Sequence, residues 1–248
     1  MTRLIIAAIA LIALGCAAFA ACGGDDDTGG NPAAAASSTK TSATAKPTTN
    51  PFVAALAKLD YPTELMDGTS LGKKDAKVTI QMFEDFTCPH CLEFTAQIEP
   101  GIVDQLVKTG QARLEFHYLP LRQSSVPIMV AAQCTAAENK FWDYSKRLFT
   151  EQAIADAMPT AQVGAALTTA FSQPKLVEYA TDLGIDSATF TSCLASDPPV
   201  QVVLDDSRLS DTYGMTGTPS FAINGKFVPN GSPPTIAGWK TLVENASK

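Results

Sequence analysis

"FEDFTCPHCLEF", Phe83 to Phe94, sets two cysteines two residues apart with a proline and a histidine between them. Cys88 and Cys91 could be a structural disulfide, half of a metal site or a redox centre. The flanks give the local fold. "KVTIQMFEDF", Lys77 to Phe86, is rich in apolar residues and reads as a buried strand. A helix is expected from Pro89 to about Lys108, kinked at Pro100 and closed by Gly110. "ARLEFHYLPL", Ala112 to Leu121, alternates Leu114, Phe116 and Tyr118 and reads as a second strand. Strand, helix and strand in this order are consistent with a right-handed βαβ crossover.

Pro89 suits the first helical position, where its missing N–H costs nothing. Cys88 is then the N-cap, exposed at the helix start, facing unpaired backbone N–H groups and the positive end of the helix dipole. Cys91 falls inside the first turn and is expected to be buried. His90 adds positive charge when protonated. All three effects favour a thiolate on Cys88. At an ordinary cysteine pKa only about 3% of the thiol is ionised at neutral pH. A stabilised thiolate stabilises the reduced form, which makes the disulfide a better oxidant.

The rival readings are weaker. A metal site needs three or four protein ligands, and the chain has two histidines, His90 and His117, and no second C-x-x-C. A structural disulfide across so short a spacing would be strained and reducible. The redox reading is favoured over both.

The rest of the chain supplies context. "MTRLIIAAIALIALGCAAFAACGGDDD" opens with Arg3 and an uncharged apolar run, Leu4 to Ala21. It reads as an export signal over residues 1–22, with an uncleaved anchor helix as the alternative. Ala20-Ala21-Cys22 resembles a bacterial lipobox. Cys22 is preferred to Cys16 as the lipidated residue because polar "GGDDD" follows it at once. Either reading places the remainder outside the cytoplasm, where disulfides persist. Residues 23–51 are Gly, Ala, Ser, Thr and Pro with almost no large apolar side chain, and read as a disordered tether. The net charge of −7 and the lack of basic clusters argue against nucleic acid as a partner. Val126 to Phe149 reads as one long helical stretch and Pro159 to Leu204 as several shorter ones. "PSFAINGKFVPNG" reads as a hairpin about Asn224-Gly225, and Pro234 to Ala246 as a final helix.

The strand ahead of "DFTCPHC", the later "GTPSF" and the helical block between them resemble the DsbA-like thiol:disulfide oxidoreductases of the thioredoxin superfamily. The resemblance covers about Leu71 to Lys248. It implies an α/β thioredoxin fold with an inserted helical domain. Residues 52–123 and 205–248 would form the two parts of the thioredoxin-like domain and residues 124–204 the insertion. No dinucleotide fingerprint appears, so no nicotinamide or flavin cofactor is expected, and no metal. Cys88 and Cys91, with Pro89 and His90 between them, would be the catalytic motif. X-Pro bonds are mostly trans, yet "GMTGTPSF" matches the family loop in which Pro219 is cis. There the backbone of Thr218 would pair with an extended substrate, and Thr218 would touch the sulfurs. The family often carries a buried acid six residues before the first cysteine. Met82 stands there instead, and strand alternation sends Glu84 and Asp85 to opposite faces.

Cys134 and Cys193 remain. An even remainder in an exported protein suggests a bond, and the resemblance implies a second disulfide within the insertion. Two separate buried thiols, or a redox relay, are the alternatives. The reading that follows is a monomer held on the outer face of the cell membrane by an N-terminal lipid. It would donate its Cys88–Cys91 disulfide to unfolded exported proteins with free thiols, and a membrane reoxidase of the DsbB or VKOR type would restore it. A disulfide reductase or isomerase, and a copper-binding lipoprotein using Cys88, Cys91 and His90, are the alternatives.

Overall fold

Val78–Glu84 forms a strand with one face wholly buried and the other partly so, and everything that positions the two cysteines is built outward from it. The computed structural model describes residues 50–229 and 231–248. The expected export signal, Cys16, Cys22 and all but the last two residues of the expected tether lie outside that range.

The chain enters through α1 (Pro51–Leu56), whose first turn is capped by the Asn50 side chain. Pro51, expected to end the tether, is thus helical. Two short strands follow, β1 (Met66–Asp67) and β2 (Ser70–Leu71), which the sequence did not announce because two residues carry no period. Then come β3 (Val78–Glu84), α2 (Pro89–Gln97) and α3 (Glu99–Ile102), the last continuing as a π turn over Val103–Val107. The expected kink falls at Ile98, ahead of Pro100, and Gly110 closes the segment with φ +74°. β4 (Ala112–Tyr118) pairs parallel with β3, so the βαβ unit is present.

The helical block comprises α4 (Val126–Gln133), α5 (Phe141–Asp156), α6 (Thr160–Ala170), α7 (Gln173–Asp182), α8 (Ser187–Leu194) and α9 (Asp197–Thr212). The single helix expected over Val126–Phe149 is two. A 3-10 turn at Ala136–Glu138 leads into Asn139, whose left-handed backbone (φ 51°) ends the first and redirects the second. The Asn139 side chain then accepts from the Gly68 N–H, so the break serves as a tie to the β1–β2 turn. β5 (Ser220–Ile223) and β6 (Lys226–Phe227) make the expected hairpin, with positive φ at both Asn224 and Gly225 as a type I′ turn requires. α10 (Ile236–Ala246) closes the chain.

The sheet order is β1-β2-β4-β3-β5-β6, with β3 between parallel β4 and antiparallel β5. Gly72 lets β2 cross close over β4, since a Cβ there would sit 2.9 Å from the Arg113 Cα. One face of the sheet carries the larger core. Phe86 stacks on Phe116 and meets Phe149 from α5, while Phe94 of α2 packs on Phe221 and Trp239. Each such side chain stabilises the fold by about 1.5–3 kcal/mol when fully buried. On the other face His117 stacks on Phe83 and meets Asp206 of α9 at 2.7 Å. Burial opposes charging of that imidazole, but hydrogen bonds to Asp206 and Glu115 prevail and raise its pKa to about 9. The pair, with the Tyr118 N–H donating to Asp206, pins α9 to β4.

Candidate active site

Cys88 is the N-cap of α2 and Pro89 its first helical residue, as the motif predicts. The strand-to-helix turn is fixed by Asp85. Its carboxylate accepts from Thr87 N–H and Thr87 Oγ1 at 2.8 Å each and from Leu121 N–H at 2.9 Å. Thr87 Oγ1 also meets Ser125 Oγ at 3.1 Å, so the loop is tied to the start of the helical block.

The Thr218–Pro219 bond is cis and brings Thr218 over the cysteines. The Cys88 thiol donates to the Thr218 carbonyl at 3.4 Å. The Thr218 hydroxyl lies beside the same sulfur, buried and without another partner, which leaves it free to donate to a thiolate. Both cysteines are thiols here. The expected exposure of Cys88 needs correction: only 4% of its surface is open, because the Thr218 loop covers it. Cys91 is fully buried.

The two thiols are driven apart. A hydrogen bond from Cys91, then the Thr218 hydroxyl and the backbone N–H groups of Cys91 and His90, outweigh burial and pull Cys88 down to about 5. Burial, followed by the hydrogen bond to Cys88 and the nearby Glu84 carboxyl, pushes Cys91 well up. His90 reaches the sulfur through its backbone; its side chain is 79% exposed and lies 3.7 Å from Glu93. Between α2 and the Thr218–Pro219 loop lies a cavity of about 350 Å³, lined in part by His90, Phe94, Ile98 and Pro219.

Sequence alternation places Glu84 and Asp85 on opposite faces, but both are buried. Glu84 lies on the same strand face as Met82, one pleat nearer the cysteines. It is accompanied by Thr95, Glu99 and Tyr61, none of which the sequence reading singled out. A signal was present: Cys91, Thr95 and Glu99 recur every four residues from α2 into the start of α3, all buried. Tyr61 had no such signal. Cys134 and Cys193 are bonded at 2.05 Å, across a separation of 59 residues. Among the described residues no group of three or more His, Cys, Asp or Glu gathers as a metal site.

The family model described as Thioredoxin matches residues 64–245. The chain belongs to the thioredoxin family. Within it the likeness is to DsbA-type proteins. Disulfide bond formation protein D of Bacillus subtilis is 26% identical over 166 residues, 64% of this chain and 69% of that protein. The solved structure of oxidised BdbD from Bacillus subtilis superposes with a TM-score of 0.59 at 23% identity, covering 75% of this chain and 95% of that one. A further relative is the Na(+)/H(+) antiporter NhaA 3 of Salinispora tropica, 27% identical over 158 residues. That match takes in 62% of this chain but only 21% of the antiporter's length. The chain thus spans about a fifth of the length of that relative.

Proposed function

We propose that this thioredoxin-family protein is a thiol:disulfide oxidoreductase that gives its Cys88–Cys91 disulfide to other proteins. The observation that carries the reading is the asymmetry of the pair. Cys88, drawn to about 5, is the sulfur an incoming thiolate can attack with a stable leaving state to follow, and Cys91 is the buried partner. A substrate thiolate attacks Cys88, the Cys88–Cys91 bond breaks, and Cys91 leaves and takes up a proton. The substrate's second thiolate then attacks the mixed disulfide. The substrate is oxidised by two electrons and the enzyme is reduced to the dithiol. The cavity beside Pro219 gives an extended chain a place to lie.

The substrates under this proposal are unfolded exported proteins with free thiols. The oxidant that renews the enzyme is a membrane reoxidase of the DsbB or VKOR type. Export and a lipid on Cys22 are supported by the apolar run and the small-small-Cys ending ahead of "GGDDD". A tether to the membrane raises the effective concentration of such a partner. The reading is tested by equilibrating the Cys88–Cys91 pair with glutathione and by following oxidation of a dithiol peptide. A disulfide that resists reduction by glutathione, together with no peptide oxidation, would overturn the donor reading in favour of a reductase.

A further inference from the structure

Beneath the cysteines lies a group of buried polar side chains that the exchange scheme above leaves without a task. Glu84, from β3, is 1% exposed and neither of its carboxyl oxygens has a hydrogen-bond partner. Glu99, from the start of α3, is 2% exposed and accepts a 2.9 Å hydrogen bond from the Tyr61 hydroxyl. Thr95, on α2 between them, presents its hydroxyl to both carboxyls without closing a hydrogen bond of normal geometry to either. An unpaired buried carboxylate is expensive, and two near enough to feel each other's charge are more so. Such a site resolves the cost by holding a proton.

We infer that Glu84 and Glu99 act as one acid–base unit for Cys91, a carboxyl pair sharing a single proton at rest, with Tyr61 as the positioning residue that decides which member holds it. The inference rests on the exchange chemistry proposed above. The hydrogen bond from Tyr61 favours the charged form of Glu99, so the proton rests on Glu84, the member that acts on Cys91. The directions of the acid strengths agree: burial, then the charge of Glu99, raises Glu84 well up, while burial raises Glu99 only to about 7. The other groups facing the pair are Cys88 and Cys91 from the motif, and Asp143 of α5, which acts on Tyr61.

The unit serves both directions of exchange. When a thiolate attacks Cys88, Cys91 leaves as a buried thiolate and takes the proton of Glu84, so the pair goes from one proton to none. When the dithiol is reoxidised, the Cys91 thiol must lose its proton to attack the mixed disulfide on Cys88. The pair then goes from one proton to two. Between the half-reactions the pair takes up or releases one proton to solvent and so returns to its resting state. Tyr61 belongs to the segment between α1 and β1, so the N-terminal stretch that docks on α2 and α5 completes the site instead of merely preceding the fold.

The test uses the full chain with Glu84→Gln, Glu99→Gln and Tyr61→Phe. Gln keeps the size and polarity and removes the ionisable group, so folding is expected to survive. Infrared pH-difference spectra of the oxidised protein, and of the protein reduced by a small dithiol, should each show a protonated-carboxyl band that titrates. Glu84→Gln should remove that band. Tyr61→Phe should move its titration to higher pH, because the donor that favours ionised Glu99 is gone. Peptide oxidation by Glu84→Gln should fall at least about tenfold near neutral pH, while the pH midpoint of Cys88 alkylation holds. Absence of the band, or its survival in both Gln variants, would overturn the inference, as would a wild-type oxidation rate in Glu84→Gln throughout the pH range. A wild-type protein that oxidises no peptide would instead sink the exchange reading, and the infrared bands would still decide the pair.

Discussion

The two cysteine pairs of this molecule sit at opposite ends of helices. Cys88 caps the start of α2, where backbone N–H groups and the helix dipole favour a thiolate. Cys134 caps the end of α4 and Cys193 lies in the last turn of α8, where free carbonyls disfavour one. The same bond therefore has a good leaving group in one place and none in the other. On the proposed reading, placement along a helix, more than the presence of a disulfide, would separate a centre that exchanges from a bond that holds.

The hardest blow to this contrast is Cys88→Ser. It should reduce oxidation of a dithiol peptide to background. The Cys134→Ala, Cys193→Ala double variant should keep nearly the wild-type rate at a temperature where it stays folded. If the double variant loses turnover as well, the second pair is a relay and the contrast fails. That variant should instead lose stability, by about 2–5 kcal/mol in denaturant unfolding, since the bond closes a loop across 59 residues.

The acid strength of Cys88 makes a third test. Its folded pKa, about 5, lies below the unfolded value near 8.5, so between those limits the unfolded reduced chain binds the extra proton. The stabilisation is complete above the unfolded value and is lost as pH falls through about 5. The stability of the reduced form relative to the oxidised form should thus climb by up to about 1.4 kcal/mol per pH unit across that window. A flat difference would mean that the thiolate is not favoured. The comparison between forms cancels Glu84, Glu99 and His117 to the extent that they titrate alike in both.

Finer contributions follow. Thr218→Val removes the hydroxyl beside the sulfur and should raise the Cys88 pKa by about one unit, read from thiolate absorbance. His90→Ala should raise it by less than about half a unit, because the imidazole is largely in solvent and near Glu93. A shift larger than that of Thr218→Val would restore the side-chain role that sequence alone gives to His90.

What could be read in the sequence followed periodicity and local chemistry. The β3–α2–β4 unit and the hairpin at Asn224-Gly225 were plain because alternation, Pro89 and the turn dipeptide each act within a few residues. The break near Asn139 was hidden, since no proline or glycine marks it and the left-handed residue is held by a distant contact with Gly68. Tyr61 was hidden for the same reason: its meaning lies in Glu99, 38 residues away. His90 was read as a charge beside the sulfur, whereas its side chain is 79% exposed and lies near Glu93, an orientation that adjacency in sequence does not give. The Cys134–Cys193 bond needed a family likeness, as the two residues lie in separate helices with no local pattern between them.

Asp85 joins Thr87 and Leu121 through a single carboxylate, and thereby arranges the attacked sulfur before any partner arrives. The conformational search is completed during folding and is not repeated at each encounter. Productive collisions then depend on the visitor: how much of its thiol is ionised, and how readily its chain bends to present a second one. Under the proposed exchange, a rigid donor of this kind would leave the choice of which cysteines are joined to the shape of the unfolded substrate.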